Sequence, residues 1–349
     1  MKIISSSSTA SSTGPPTRVG LVYETFETYA PVSGAPSDAH AEFEPWETVE
    51  ILEAALFRLG LSSVRVEGPY SLLERASASQ GLGFDVALNI SEGFGGRNRE
   101  AWAPVLLEMA GVPYWGSDAL TLSLTLDKAW ANDRARAAGI PVAPQCVMNS
   151  GAAAGEARLP APFPLFVKPR WEGSAKGIRV SSRVENREAL VNEVSRVTET
   201  YAQPALVEAF LPGAEYTVMV TGHSPPRAFP VLQRALERDS RIGLHALAHS
   251  GARDWEHTSP GELTPALEKE LAKWALLVFD VFECRDFARV DFRLDQGGQV
   301  TFLEVNPLPT FAPDGTFGIL AELEGRSTDA LLADVLGEGL KRLGFTQAE

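Results

Sequence analysis

The sequence is poor in cysteine, has fewer basic than acidic residues, and contains no long apolar run. Only Cys146 and Cys284 occur among its 349 residues. Neither belongs to a CxxC pair or has a Cys/His neighbourhood, which excludes a disulfide framework. Two buried thiols in a reducing cytoplasm are expected. No stretch of roughly 18 apolar residues is present, so no membrane-spanning helix and no membrane partner are expected. The opening MKIISSSSTASSTGPP lacks the apolar core of a secretory signal, and residues 1–16 are expected to form a disordered lead. Lys and Arg number 31 against 45 Asp and Glu, a net charge of −14 with His neutral. Such a surface repels phosphodiester backbones, which argues against a nucleic-acid partner. The P-loop pattern GxxxxGK[ST] is absent, and the His residues show no zinc-ligand spacing. What remains is an ordinary globular composition, 44% hydrophobic and 22% charged, long enough for two or three domains.

The hydrophobic pattern divides the chain. Strands are expected at Arg18–Glu24, Ser63–Val66, Asp85–Ile90 and Val112–Trp115, with helices at Glu47–Leu59 and Arg99–Met109 between them. Gly60 and Gly111 stand where helices end. Alternating strands and helices predict βαβ crossovers and a mainly parallel sheet. A helix is expected from Asp127 to Ala138. Then comes a unit of antiparallel flavour: strand, Gly-rich loop and strand across Pro164–Val180, a helix over Glu185–Thr198, and strands at Ala205–Glu208 and Glu215–Val220. The polar stretch Gln233–Glu262 reads as a long loop of functional or mobile character. Leu263–Phe282 is a strongly amphipathic helix, Phe287–Leu294 and Gln299–Asn306 form a hairpin about Gln296-Gly297-Gly298, and Asp329–Leu343 is the last helix. The fold class is α/β, with α+β character in the C-terminal part. The expected divisions are 17–117, 118–210 and 211–349.

Four groups of residues carry candidate chemistry. In the hairpin, Glu304 and Asn306 lie two apart on one face, with Asp291 roughly opposite Glu304. Two carboxylates and an amide oxygen suit a hard cation such as Mg²⁺, and Arg289 on the same face suits a phosphate or a developing oxyanion. A solvated face with an incidental ion pair is the bland reading, but the apolar neighbours Val290, Phe292, Phe302 and Val305 show that the hairpin packs. Lys168 ends a strand and precedes Glu172-Gly173-Ser174-Ala175-Lys176-Gly177, a loop able to cradle phosphate through backbone N–H groups, or an ordinary turn. Glu208 and Glu215 flank a turn and could accept from a ribose hydroxyl, or simply face water. Lys128 near a helix start says little alone.

Together and in this order, the pieces resemble the ATP-grasp superfamily, specifically its D-alanine–D-alanine ligase-like branch. The resemblance rests on NISEGFGGRNRE (89–100), GVPYWGSDALTLSLTLDK (111–128), FVKPRWEGSAKGI (166–178), VEAFLPGAEYTV (207–218), ARVDFRL (288–294) and FLEVNPLP (302–309), and spans about residues 17–345. It implies three lobes with ATP held between the second and third. It implies that Lys128 and Lys168 contact the phosphates and that Glu172–Gly177 closes over them, with Ser174 near the substrate and Lys176 at the chemistry. Glu208 would meet the adenine and Glu215 the ribose. Asp291, Glu304 and Asn306 would bind two Mg²⁺ ions (or Mn²⁺), and Arg289 would stabilise the charge of the intermediate. The implied reaction phosphorylates a carboxylate from ATP, lets an amine displace phosphate, and releases ADP. Relatives of this kind imply a cytoplasmic homodimer acting on small molecules. The chain departs from the branch at its substrate ends. The N-terminal Gly-Gly-x-Ser-x-Glu-His-Glu pattern is not found in GLVYETFETYAPVSG, where Glu24 or Glu27 is the candidate substitute, and Pro309-Thr310 replaces Pro-Gly. The Lys-Tyr of the covering loop is not recognisable. An altered substrate is therefore expected. The best match is a ligase joining an amino acid to a mycosporine-type cyclohexenone, suggested by Asp314-Gly315-Thr316-Phe317-Gly318. The alternatives are a genuine D-alanine–D-alanine or other dipeptide ligase, and a catalytically inactive ATP-binding module. Candidate substrate contacts are Glu24, Glu92, Arg97, Arg234, Arg241, His245, Thr310 and Thr316, with Arg238, His249, Arg253 and His257 of the same polar loop as further cations.

Overall fold

The computed structural model describes residues 18–30, 33–79, 81–247 and 263–345. Its first sheet is parallel, in the order β2-β1-β3-β4, built from β1 (Arg18–Tyr23), β2 (Ser62–Glu67), β3 (Val86–Asn89) and β4 (Tyr114–Trp115). Central β1 reads VGLVY because it is covered on both faces, and all five of those residues are buried. Its crossovers contain α1 (Trp46–Arg58), α2 (Gly68–Ser77) and α3 (Trp102–Ala110). Gly111, at φ 69°, closes α3 in the left-handed conformation, as its position suggests. Helix α2 was not foreseen, since a Gly-Pro pair starts it and polar residues fill it. Two helices follow, α4 (Ala119–Leu126) and α5 (Lys128–Ala137), meeting at Asp127.

The second sheet is antiparallel, in the order β5-β8-β6-β7, from β5 (Gln145–Met148), β6 (Leu165–Pro169), β7 (Arg183–Val184) and β8 (Ala205–Ala209). Helices α6 (Gly151–Glu156) and α7 (Arg187–Tyr201) cover it. The strand expected at Ile178–Val180 does not form there; the pairing strand is Arg183–Val184. The Gly177 N–H is held by Asp38 at 2.8 Å, and Ile178 packs instead into a small apolar cluster with Phe166 and Phe210.

The third sheet has the order β10-β9-β12-β13, with β11 also on β9. Its strands are β9 (Glu215–Thr221), β10 (Arg227–Ala228), β11 (Leu232–Arg234), β12 (Phe287–Leu294) and β13 (Val300–Asn306). The polar stretch read as loop thus begins in a strand and carries a short helix, α8 (Leu244–Leu247). His249, Arg253 and His257 lie outside the described residues. Helix α9 (Pro265–Val281) packs its Leu271, Ala275 and Val278 stripe on this sheet. Helices α10 (Thr316–Leu323) and α11 (Thr328–Arg342) return to the first sheet, where Phe317, Leu332 and Leu336 join the core of Val19, Leu21 and Leu52. Among the described residues no helix is long and apolar enough to cross a membrane.

Candidate active site

The hairpin β12–β13 sets the site. Its pairs run Leu294–Val300, Arg293–Thr301 and Phe292–Phe302, then jump to Asp291–Glu304. Leu303 is the extra residue of a β-bulge; in a regular ladder it would face Asp291. The bulge brings the two carboxylates into one pair. Arg289 bridges them, 2.9 Å from Asp291 and 3.4 Å from Glu304. The Thr217 hydroxyl donates to Asp291 Oδ1 at 2.7 Å. Lys128 Nζ lies 3.1 Å from Glu304. Burial pushes the Glu304 carboxyl up, but the charges of Lys128 and Arg289 outweigh it and hold the group down at about 2. Lys128 is the first residue of α5, placed there because Asp127 caps that helix through the Trp130 N–H at 3.3 Å. The Asp127 carboxylate also accepts from Arg170 at 2.7 Å and from the Trp171 indole at 3.0 Å, which ties α5 to the end of β6.

These groups open on a cavity of about 530 Å³ whose wall draws on the second and third sheets and on the segment between β1 and α1. At one end Lys168 Nζ lies 2.8 Å from Glu208, and the rings of Phe166 and Phe210, 6.2 Å apart, line the same cavity. Glu215 lies 3.5 Å from both Arg293 and His245. Over the middle runs the loop Glu172–Gly177. Ser174 and Ala175 both adopt positive φ, 45° and 56°, a conformation that non-glycine residues hold only when their surroundings enforce it. The enforcing residue is Glu42, which no reading of the sequence singled out. Its buried carboxylate accepts from Arg99 at 2.6 Å, the Gly173 N–H at 2.5 Å and Lys176 Nζ at 2.7 Å. Burial opposes its ionisation, but Arg99 and Lys176 hold it at about 2. Lys176 also pairs with Glu172. Two residues on, Glu44 accepts from Thr48 at 2.8 Å and Thr310 at 3.0 Å, and burial pushes its carboxyl up. The only available signal for both was a pair of acids just before α1.

Most of the expected site residues meet in this cavity. Arg289, Asp291, Glu304, Lys128, Lys168, Glu172, Gly173, Ser174, Lys176, Glu208 and Glu215 line it, as do Arg234, His245, Thr310 and Thr316. The others do not. The Gly177 N–H is spent on Asp38. The Asn306 amide oxygen accepts from the Leu308 N–H at 3.2 Å, two rungs beyond the carboxylate pair. Glu24 accepts from the Gly93 N–H at 2.7 Å, and Glu27 sits in a short 3-10 turn. Glu92 lies beside Glu100; burial first, then the charge of Glu100, pushes the Glu92 carboxyl up, while burial and Glu42 raise Glu100 to about 7 against Arg99 and a hydrogen bond with Glu92. Arg97 stacks over Trp130, 4.5 Å from the ring centre. Arg241, at φ 60°, donates to the Pro212 carbonyl and props the backbone beneath Arg293.

The donor set suits a hard divalent cation. Among the described residues no three His, Cys, Asp or Glu side chains form a closed cage. Two facing carboxylates with a nearby amide instead leave most coordination positions to substrate oxygens and water, which is how Mg²⁺ is generally held.

Comparison with known proteins agrees. Residues 135–337 match the model of the D-ala D-ala ligase C-terminus. A D-alanine–D-alanine ligase of Halorhodospira halophila is 33% identical over 76% of this chain and 84% of its own length. One from Alcanivorax borkumensis is 31% identical over 74% and 79%. An uncharacterised Sinorhizobium fredii protein, y4sG, is 30% identical over 86% and 90%. Among solved structures, the D-alanine–D-alanine ligase of Bacillus anthracis complexed with ATP superposes with TM-score 0.69 at 21% identity, covering 94% of this chain and 98% of its own. The fold is thus ATP-grasp, and the protein is of the class of ATP-dependent carbon–nitrogen ligases. Within that class, the chain belongs to the D-alanine–D-alanine ligase family.

Proposed function

We propose that this ligase phosphorylates an oxygen of one small-molecule substrate from ATP and joins that substrate to the amine of an amino acid, releasing ADP and phosphate. One observation carries the reading: Lys128 and Arg289 meet the facing pair Asp291–Glu304 in a single cavity that Lys168, held by Glu208, also lines. Phosphoryl transfer needs positioning and charge neutralisation more than a covalent nucleophile, and this wall supplies both. Phe166 and Phe210 offer a slot for the adenine, with Glu208 at its polar edge and Glu215 toward the ribose. Lys128 and Lys168 neutralise the phosphates. Asp291 and Glu304, with Asn306, would hold Mg²⁺, two ions by resemblance, and that ion would neutralise charge on the transferring phosphoryl group. Glu42 and Lys176 hold the Ser174 loop over the phosphates. Arg289 stabilises the charge that develops when the amine attacks. The enzyme would work in the cytoplasm as a homodimer.

For the activated substrate, the reading favoured here is a mycosporine-type cyclohexenone. Phe26 and Phe43 line the cavity on the side of the first sheet, and Tyr29 packs edge-on to Phe43 at 5.6 Å. Such aromatic faces suit a flat ring better than a methyl group. A dipeptide ligase is the second reading, favoured by the Glu42–Glu44 pair at the cavity and by the relatives named D-alanine–D-alanine ligase. The test is ADP release from Mg·ATP with D-alanine alone, and with mycosporine-glycine plus each common amino acid, with products read by mass spectrometry. Turnover only with the cyclohexenone and one amino acid supports the first reading. Formation of D-alanyl-D-alanine from D-alanine alone overturns it in favour of the second.

A further inference from the structure

Cations crowd the cavity wall, and all but one have an acid beside them. Lys128, Lys168, Lys176, Arg289, Arg293 and His245 each lie 3.5 Å or less from a carboxylate oxygen. Arg234 is the exception. Among the described residues no carboxylate forms an ion pair with it, although it lines the same cavity and is partly buried. Its Nε donates to the Thr217 hydroxyl at 3.1 Å and its Nη2 to the Thr316 hydroxyl at 3.1 Å. Two of five N–H donors are used, and both partners are neutral. The acid next along this chain, Asp291, is already engaged by Thr217 and Arg289. Asp291 and Glu215 act on it only at longer range, and a partly desolvated guanidinium without an ion-pair partner costs stability that an arriving anion would recover. Its second hydroxyl belongs to the first residue of α10, a helix whose start has no side-chain cap, so unpartnered N–H groups lie beside the guanidinium.

We propose that Arg234, steadied by Thr316, anchors the carboxylate of the amino acid substrate. This rests on reading the chain as an amino acid ligase. The position separates this anion from the nucleotide's phosphates. Lys128 and Arg289 pair with the carboxylates themselves, whereas Arg234 is tied to Thr316 and linked to Asp291 only through the Thr217 hydroxyl. A guanidinium held flat by two hydroxyls presents its remaining edge for a two-pronged bond to a carboxylate.

The test uses the full chain and its Arg234→Met and Arg234→Lys variants. Melting temperature is followed against acetate and glycine at constant ionic strength, and Mg·ATP affinity by calorimetry. Acetate and glycine should raise the melting temperature of the unaltered protein, and Arg234→Met should abolish that shift. Arg234→Lys should retain only part of it, since it keeps the charge and loses the fork. The ligand-free Met variant should melt no lower than its parent, and its Mg·ATP affinity should stay within about threefold. Four results would overturn the proposal: no anion shift in the parent, a shift that survives in Arg234→Met, a lower melting temperature of the ligand-free Met variant, or a loss of about tenfold or more in Mg·ATP affinity with the acetate response intact. The last would make Arg234 a phosphate ligand. Failure of every form to bind Mg·ATP would strike the ligase reading itself, while the acetate response would still report on Arg234.

Discussion

At the scale of single residues, the site runs on carboxylates forced to ionise and carboxyls forced to stay neutral. Asp291 and Glu304 belong to the first kind. Asp291→Asn keeps the shape of the pair and removes the charge a cation needs, so ADP release should fall by about a thousandfold with the fold intact by circular dichroism. Glu100 belongs to the second kind: burial, helped by the charge of Glu42, raises it from 4.5 to about 7 against the opposing pull of Arg99 and Lys128. Its folded value exceeds its unfolded one. Its share of stability is therefore full below about pH 4.5 and is lost as the pH rises through about 7. Glu100→Gln should remove that slope, so its urea midpoint should gain on the parent more at about pH 8 than at about pH 5. An equal difference at both pH values would contradict the assignment. Glu42 shows the opposite sign. Held at about 2, it stabilises above about pH 4.5 and fails as the pH falls toward 2. The carboxylate pair was legible to within one residue, because period-two spacing and a turn signal bring Asp291 and Glu304 near each other, and the bulge at Leu303 sets them opposite. Glu42 was not, because its partners stand 57, 131 and 134 residues away and nothing local marks them.

Among the elements, the hairpin and the start of α5 show how local chemistry aims a side chain. The hairpin was legible as a hairpin, but its bulge was not, because Leu303 carries no turn or glycine signal. Without the bulge Asp291 would face a leucine. The start of α5 was legible from Asp127 and Lys128, yet Asp127 does more than cap. It is 1% exposed and also holds Arg170 and Trp171. Asp127→Ala should cost about 2–4 kcal/mol, about 1 from the cap and the rest from leaving Arg170 and the indole unpaired. Urea unfolding measures the loss, and Asp127→Asn should recover the cap's part of it. A cost near zero would mean that the cap and its partners are carried by water. Helix α4 was missed for a different reason. Its sequence ALTLSLTL alternates apolar and hydroxyl residues as a strand does, and the side chain of Asp118, accepting from the Thr121 N–H at 3.0 Å, decides for helix.

At the scale of the molecule, two sheets and the segment between β1 and α1 share one cavity, and the C-terminal helices close the assembly onto the first sheet. The Trp115 indole donates to the Leu336 carbonyl at 2.9 Å, and Gly339 lets α11 approach so closely that a Cβ there would lie 2.3 Å from that indole. The parallel sheet was legible from strand order and much of the middle sheet from turn length, but Glu215–Val220, read with that middle unit, pairs with β12 in the third sheet instead. The return of α11 was not, since helix amphipathicity states which face is buried and not what covers it. The segment between β1 and α1 supplies Glu42, Glu44 and the aromatic wall, the second sheet Lys168 and Glu208, and the third the carboxylate pair. The central claim is that this shared cavity receives Mg·ATP. Calorimetric titration of the full chain tests it most directly, beside the Lys168→Met variant. The account predicts one nucleotide per chain, a strict need for Mg²⁺, and loss of about tenfold or more in affinity in the variant. No binding, or binding that ignores both Mg²⁺ and Lys168, would contradict it.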